Sequence, residues 1–156
     1  MLSYMKDLKF DLVLPNLKAT SREQALHLAA DAVAKHIKVS GDLLFQGLAE
    51  KRRVERSCVG EGLAIADLKI RGLQRPFMVL TRFSHDVDFQ AMDKQPVNLM
   101  CIVLSPERDG PIHLRRVARV SRLLKNSDLQ QKLREASNED AMRSLLIDPE
   151  GWMLAA

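Results

Sequence analysis

The sequence predicts a single α/β domain in which helices cover both faces of a β-sheet. Segments typical of strands and helices alternate along the 156 residues, a length that suits one domain with a substantial core. Two segments, Pro76–Phe83 and Val97–Ser105, are almost continuously apolar. Strands have this composition when both faces of their sheet are buried, so we expect both segments to be sheet strands.

Two further strands are predicted nearer the N-terminus. Phe10–Pro15 has the composition of a strand, and the sequence VGEGLAIADLKI, which begins at Val59, indicates a turn that leads into a strand. The polar sequence SHDVDFQAMDKQP separates the two apolar segments and is expected to be a loop.

Capping residues mark the starts of four predicted helices. Thr20 and Glu23 have the spacing of a capping box ahead of the first helix. Ser40 is expected to cap a short second helix, and Ser127 and Ser137 are expected to cap the last two.

A further helix is expected after Asp109-Gly110-Pro111, and it has two different sides. Its apolar and small residues are predicted to share one face: Leu114, Val117, Ala118, Ser121 and Leu124. Basic residues form a stripe on the other side: Arg115, Arg116, Arg119 and Arg122. Such a stripe is either a solvated helix face or a binding surface for an acidic protein or for nucleic acid.

The composition favours a cytoplasmic protein. No apolar segment approaches the length that a membrane span needs, and the N-terminus lacks the apolar stretch of a signal peptide. Cys58 and Cys101 are far apart and are expected to be reduced thiols. The net charge of +4 is weak evidence for nucleic-acid binding, because 20 acidic residues are interspersed with the basic ones and aromatics make up only 4%.

Three segments together carry a resemblance to a known family. The first is VGEGLAIAD, from Val59 to Asp67, which is similar to a signature of glycines followed by Ala-Ile-Pro-His. The second is VDFQAMDKQPVNLMCIVL, and the third is His-Leu-x-x-x-Ala-x-x-Ser-x-Leu-Leu, from His113 to Leu124. In this order and spacing, over about residues 8–146, they resemble the enzyme IIA domains of the bacterial phosphotransferase system, in the fructose, mannitol and nitrogen-regulatory class.

The resemblance implies both a fold and a chemistry. The fold is a single domain with a mixed central β-sheet flanked by helices on both faces, over residues 1–156 with a tail after about residue 146. In the family, a signature histidine accepts a phosphoryl group from a small phosphocarrier protein. The domain then passes this group to a sugar transporter or, in the nitrogen-regulatory branch, acts as a phosphorylation-dependent switch on other proteins.

This sequence departs from the family pattern at the signature. Ala66-Asp67 stands where the family has Pro-His, so the resemblance puts Asp67 at the phosphoacceptor position and the histidine is absent. Asp67 has three possible roles: a phosphoacceptor that forms an acyl phosphate, a fixed charge that partly imitates the phosphorylated state, or a solvated carboxylate at a lost site.

The resemblance also indicates which residues would surround position 67. His113 corresponds to a second histidine that helps to hold the phosphoryl group, and the basic segment from Lys51 falls where the family places an arginine. Glycines allow a tight turn or the close approach of a ligand. The pocket candidates are therefore His113, Gly60, Gly62, Arg52 and Arg53.

We therefore predict a regulatory, enzyme IIA-like protein that is not phosphorylated at the usual site and acts by binding other proteins. Such partners would be phosphotransferase-system carriers, transporters or sensor kinases. We expect no cofactor, no metal site, no membrane insertion and no enzymatic turnover, and we assign no catalytic residue. Two alternatives remain: a phosphoryl carrier that uses His113, and a nucleic-acid-binding module that uses the stripe from Arg115 to Arg122.

Overall fold

A computed structural model describes residues 8–50, 58–91 and 93–147 of the chain. The described residues contain five strands: β1 (Leu12–Leu17), β2 (Cys58–Gly60), β3 (Leu63–Ile70), β4 (Phe77–Val87) and β5 (Val97–Pro106). They also contain five α-helices: α1 (Arg22–Ala34), α2 (Gly41–Leu48), α3 (Pro111–Leu124), α4 (Ser127–Glu135) and α5 (Glu139–Ile147). A short 3-10 turn, Glu107–Asp109, connects β5 to α3.

The five strands form one mixed sheet in the order β1-β4-β5-β3-β2. β1 pairs with β4 and β3 with β5 in parallel, whereas the pairs β4–β5 and β2–β3 are antiparallel. The apolar segments Pro76–Phe83 and Val97–Ser105 belong to β4 and β5, which lie side by side within the sheet, so the prediction that both are sheet strands is confirmed.

Each face of the sheet forms its own core. Successive side chains of β5 enter the two cores alternately: Met100, Ile102 and Leu104 on one face, and Leu99, Cys101 and Val103 on the other. The first core is closed by α1 and α2, and the second by α3, α4 and α5. The prediction of helices on both faces is therefore confirmed.

A glycine allows one helix to lie directly against the sheet. A Cβ atom at Gly47, in α2, would lie only 2.7 Å from Cδ2 of Leu68 in β3. This distance is shorter than real Cβ contacts, so the absence of a side chain at Gly47 sets the separation between α2 and the sheet.

The predicted capping box of α1 was wrong by one residue. Ser21 is the N-cap, and its hydroxyl accepts a hydrogen bond of 3.1 Å from the backbone amide of Gln24. Oε1 of Gln24 in turn accepts from the backbone amide of Thr20 at 2.6 Å. Ser21 and Gln24 have the same spacing as Thr20 and Glu23, and glutamine serves as well as glutamate in this motif, so the pattern alone could not distinguish the two registers.

Asparagines replace the serines that were predicted to cap the last two helices. Oδ1 of Asn126 accepts from the amide of Leu129 at 3.0 Å, and Oδ1 of Asn138 accepts from the amide of Ala141 at 2.9 Å. Asparagine and serine cap helices about equally well, and here each asparagine lies next to the predicted serine. Ser40 is the N-cap of α2, as expected, but its side chain makes no capping hydrogen bond.

Two strand boundaries also differ from the prediction. β1 spans Leu12–Leu17, two residues beyond the predicted Phe10–Pro15. β4 continues to Val87, so the first part of the predicted loop is strand. The polar residues His85 and Asp86 are exposed there, whereas Val87 is buried and pairs with Val97.

The predicted apolar face of α3 was correct for Leu124, which is buried, and for Val117, which packs against the core, but it was wrong for Leu114 and Ala118. The buried residues of this helix are His113, Val120, Leu123 and Leu124. Leu114 is 68% exposed, and Ala118 is exposed as well. The apolar pattern failed because α3 turns a polar side chain, His113, toward the sheet, where hydrogen bonds compensate for its burial.

Candidate functional site

A cleft of about 650 Å³ lies between β3 and the first turns of α3. Its apolar lining consists of Val59, Ile65, Pro111, Leu114 and Val117. Its polar and charged lining includes Asp67, Lys69, His113 and Ser121. An apolar depression with a few convergent polar groups is the usual form of a binding site.

Asp67 reaches the cleft because of its register in β3. Side chains two residues apart in a strand share a face, so Asp67 lies on the same side of the sheet as Ile65, which belongs to the core beneath α3. The Asp67 side chain is 30% exposed, and its Oδ1 lies 2.9 Å from Nε2 of His113. Asp67 therefore presents a partly solvated carboxylate at the mouth of the cleft.

His113 is held by the way in which α3 begins. Gly110 has a positive φ of 52° after the 3-10 turn, and Pro111 occupies the first helical turn, where a missing amide hydrogen is tolerated. His113 follows in the same turn, with a side chain only 3% exposed. Its Nδ1 lies 2.7 Å from Oγ of Ser105, the buried penultimate residue of β5.

The hydrogen bonds continue beyond His113 and form a chain of five side chains. Arg116 lies one helical turn after His113 and donates both to Oγ of Ser105 and, at 3.1 Å, to Oδ2 of Asp109. Arginine can only donate, so Oγ of Ser105 accepts from Arg116 and also bonds Nδ1 of His113. An ionised carboxylate can only accept, so we assign the hydrogen between His113 and Asp67 to Nε2, which donates it to Oδ1.

This arrangement has two chemical consequences. The carboxylate of Asp67 accepts a hydrogen bond from the imidazole of His113. Both ring nitrogens of His113 are engaged, so neither presents a free lone pair to the cleft.

The predicted glycine pair forms a turn at the start of β3. Gly60, Glu61 and Gly62 all have positive φ, at 96°, 58° and 85°. The backbone amide of Glu61 donates to Oδ2 of Asp93 at 3.0 Å, and Arg134 donates to the carbonyl of Glu61 at 2.7 Å. Val59 lines the cleft, but in the described part of the chain neither glycine does.

Hydrogen bonds from the backbone stabilise the charged form of Asp93. The amide of Gln95 donates to Oδ1 at 3.1 Å, and the amide of Glu61 donates to Oδ2. Together these bonds lower the pKa of the Asp93 carboxyl below its ordinary value. Asp93 thus links the loop between β4 and β5 to the glycine turn.

The family model for the enzyme described as "Phosphoenolpyruvate-dependent sugar phosphotransferase system, EIIA 2" matches residues 8–148. The chain belongs to this family. A nitrogen regulatory protein from Bradyrhizobium diazoefficiens is 34% identical over 89% of this chain and 91% of its own length.

Solved structures agree on the enzyme IIA fold. The nitrogen regulatory protein IIA-Ntr from Neisseria meningitidis superposes with a TM-score of 0.78 and 22% identity, over 86% of this chain and 92% of its own. The mannitol enzyme IIA of Escherichia coli, determined in complex with phosphorylated enzyme IIB, gives 0.69 and 16% identity, over 89% of this chain and 96% of its own. At these identities the likeness establishes the fold alone.

The structure brings together only some of the site residues predicted for this enzyme IIA domain. Asp67 and His113 are in direct contact, and Gly60 and Gly62 lie at the other end of β3. Arg52 and Arg53, like Lys51, lie outside the described residues, so their place at the site stays a prediction.

The arginine stripe of α3 is divided between two environments. Arg116 is largely buried in the hydrogen-bond chain with Ser105 and Asp109, whereas Arg115 and Arg122 are exposed. The helical spacing of the stripe predicted one continuous basic face. The prediction failed because Arg116 is displaced by about 100° around the helix from its exposed neighbour Arg115, which is enough to turn Arg116 toward the sheet.

Sequence reasoning missed Ser105, Arg116, Asp109 and Lys69. Ser105 ends an apolar run and was counted as part of it. Lys69 lies two residues after Asp67 in a strand, and Arg116 lies three after His113 in a helix. Both spacings place residues on one face, so this signal was present in the sequence.

Neither a metal-binding cluster nor a membrane-spanning helix is present among the described residues. No group of three or more His, Cys, Asp or Glu side chains there is arranged to hold a metal ion. No helix in the same residues has the length and apolar character needed to cross a membrane.

Proposed function

We propose that this enzyme IIA domain is a regulatory protein that binds other proteins at the cleft of Asp67 and His113 and carries no phosphate at position 67. The observation that carries the proposal is the hydrogen bond between Oδ1 of Asp67 and Nε2 of His113 at the cleft mouth. Where the resemblance puts a phosphoacceptor, the chain instead has a carboxylate that already has a partner.

The charge of Asp67 gives the cleft a fixed electrostatic state. A carboxylate contributes about −1, whereas a phosphoryl group would contribute about −1.5 to −2. A partner that distinguishes the two states of an ordinary enzyme IIA domain would therefore meet an intermediate, permanent charge here. The name of the Bradyrhizobium relative supports a nitrogen-regulatory role, and the complex of the mannitol enzyme IIA supports a protein as the partner. The partners that we propose are phosphotransferase-system carriers, transporters or sensor kinases.

The alternative of a phosphoryl carrier that uses His113 has less support. A histidine nucleophile needs a lone pair that faces the donor. His113 is almost fully buried, and its two nitrogens are bonded to Ser105 and Asp67. Phosphorylation would require both the loss of one of these bonds and a movement of the ring toward the cleft.

A phosphotransfer assay tests the first half of the proposal. The purified protein is incubated with phosphoenolpyruvate and the upstream carriers, and the products are analysed by intact mass and peptide mapping. We expect no phosphoryl adduct on the wild-type protein, while a family member with the signature histidine is labelled in parallel. A stable adduct mapped to Asp67 or His113 would contradict the proposal, and mapping to His113 would establish the carrier alternative.

A charge-removal experiment tests the second half. Asp67→Asn keeps the shape of the side chain and removes its charge, and Asp67→Ala removes both. We expect each variant to capture less partner than wild type in pull-downs from lysate of the source organism. The melting temperature should change little for Asp67→Asn, whose amide oxygen can still accept from His113, and should fall more for Asp67→Ala, which leaves Nε2 of the buried His113 without this acceptor. Asp86→Asn, at an exposed position near the end of β4, is the matched control. If both Asp67 variants capture the same proteins as wild type in equal amounts, the charge has no role in binding.

A further inference from the structure

The exposed side of α3 carries large apolar side chains next to the cleft. The described residues include four exposed large hydrophobic side chains, and two of them, Ile112 and Leu114, lie in the first turn of this helix at 52% and 68% exposure. Leu114 also lines the cleft. The apolar wall of the cleft therefore continues onto the outside of the helix, and continuous exposed apolar surface of this kind is typical of interaction sites.

The same side of the helix has a charge of one sign. The segment Pro111–Leu124 contains four arginines and no acidic residue. Arg115 and Arg122 are exposed, and within the described part of the chain neither makes an ion pair or a hydrogen bond. Three arginines elsewhere are engaged by the protein itself: Arg82 by four backbone carbonyls, Arg134 by Asn98 and Glu61, and Arg143 by Glu139.

The apolar and basic groups are adjacent because of the helical repeat. Successive residues are separated by about 100° around a helix, so Arg115 and Arg122 lie about 20° apart on the same side. Leu114 lies about 100° from Arg115, toward the cleft, with Ala118 between them. We call the exposed residues Ile112, Leu114, Arg115, Ala118 and Arg122 the α3 surface.

We propose that the α3 surface docks a partner protein whose own surface carries carboxylates beside an apolar patch. The partner's carboxylates would pair with Arg115 and Arg122, since guanidinium groups bind carboxylates in a bidentate manner. Its apolar side chains would cover Leu114 and the adjoining wall of the cleft. This inference rests on the proposed function of the cleft and adds the chemistry of the partner.

The chemistry of the α3 surface favours an acidic protein over nucleic acid as the occupant. Exposed aliphatic side chains gain little from a phosphate backbone, and the α3 surface has no aromatic side chain on which a base could stack. We therefore expect the α3 surface to bind a protein, and the crosslinking experiment below would also detect bound nucleic acid.

A photo-crosslinking experiment in the source organism identifies what contacts the surface. A photoreactive amino acid replaces Ala118, at the centre of the α3 surface, or the exposed Gln46 of α2 as the control on the opposite face of the sheet. The protein captured from position 118 but not from position 46 is purified, and its affinity for the intact chain is measured by calorimetry at low and high salt.

Charge reversal then tests the chemistry of the contact. We expect Arg115→Glu with Arg122→Glu to weaken binding about tenfold or more, and salt to weaken wild-type binding. Lys35→Glu with Lys38→Glu changes the net charge equally at exposed positions between α1 and α2 and should change affinity less than about twofold. Reversing the partner's carboxylates to lysine should restore its binding to the Arg115/Arg122 variant.

Each other outcome decides between the two proposals. If the arginine reversals leave the affinity unchanged while Asp67→Asn weakens it, the cleft binds the partner and the α3 surface does not. If the arginine reversals weaken binding and Asp67→Asn does not, the α3 surface is the docking site and the proposed role of Asp67 fails. Crosslinking to nucleic acid at position 118, or no crosslink there while the partner still binds, would overturn the α3 inference.

Discussion

Two glycines with the same backbone conformation separate the effect of strain from that of crowding. Gly62 has a φ of 85° and Gly72 a φ of 86°. A Cβ atom at Gly72 would meet no atom within 4 Å, whereas one at Gly62 would lie 3.1 Å from Nδ2 of Asn98 and 3.2 Å from Nη2 of Arg134. Those two side chains are themselves joined by a hydrogen bond of 2.8 Å, so neither can move without weakening that bond.

The expected magnitudes follow from these environments. Gly72→Ala should reduce the free energy of unfolding by about 1 kcal/mol. Alanine is strained at positive φ, and its restriction of the unfolded chain, which is stabilising, offsets only part of this cost. Gly62→Ala should have the same effect on the free energy of unfolding. It should reduce this free energy by a further amount of about 1–3 kcal/mol, because the new methyl group crowds Asn98 and Arg134 and weakens the hydrogen bond between them. In a domain of this size the melting temperature should fall by about 2–4 °C for Gly72→Ala and by roughly twice as much or more for Gly62→Ala.

Urea unfolding followed by circular dichroism, with thermal melts as a second measurement, gives the difference between the two variants. Equal losses of stability would refute the argument from crowding at Gly62. A loss at Gly62 smaller than that at Gly72 would show that the contacts of the new methyl group with Asn98 and Arg134 stabilise the fold.

Three further predictions concern the loop, the helix packing and the signature. The pKa of Asp93 is lowered in the folded state, so the contribution of this carboxylate to stability is present above about pH 4. This contribution is lost as the pH falls through the folded pKa. Asp93→Asn should therefore make stability less dependent on pH in the acid range. Gly47→Ala should reduce the free energy of unfolding by about 1–3 kcal/mol in urea titrations, because its Cβ would overlap Leu68, and Leu68→Ala in the same chain should recover part of the crowding term. Ala66→Pro with Asp67→His restores the family's signature pair, and we expect it to gain phosphoryl label over wild type in the phosphotransfer assay, with Asp67→Asn as the unlabelled control.

The parts of the fold that were predicted correctly depend on local, repetitive patterns. The continuous apolar runs at Pro76–Phe83 and Val97–Ser105 identified two of the three strands that have neighbours on both edges, because few environments other than a sheet buried on both faces accept so many consecutive apolar residues. Cap positions were missed by one residue, as at Ser21 and Asn126, because neighbouring side chains were chemically equivalent candidates.

The error in α3 has a different physical origin. Apolar periodicity assumes that the buried side of a helix is apolar, and it therefore assigned Leu114 to the core. The buried side instead includes His113 and the largely buried Arg116, whose burial is compensated by partners on β3, β5 and the 3-10 turn. Such compensation depends on residues that are distant in sequence, so the pattern of the helix alone could not indicate it.

The same hydrogen bonds connect the proposed binding cleft to the proposed docking helix. His113 is fixed between Asp67 of β3 and Ser105 of β5, and this orientation sets the rotation of α3 about its axis. Rotation is what turns the next two residues, Leu114 and Arg115, away from the sheet. His113, which the resemblance to the family matches to a phosphate-holding histidine, thus has a structural role in this chain: it holds α3 against the sheet. The carboxylate of Asp67 can accept the hydrogen bond from Nε2 of His113 at all times. A group that gained and lost phosphate at this position would instead change the hydrogen-bond partner of Nε2 with each transfer.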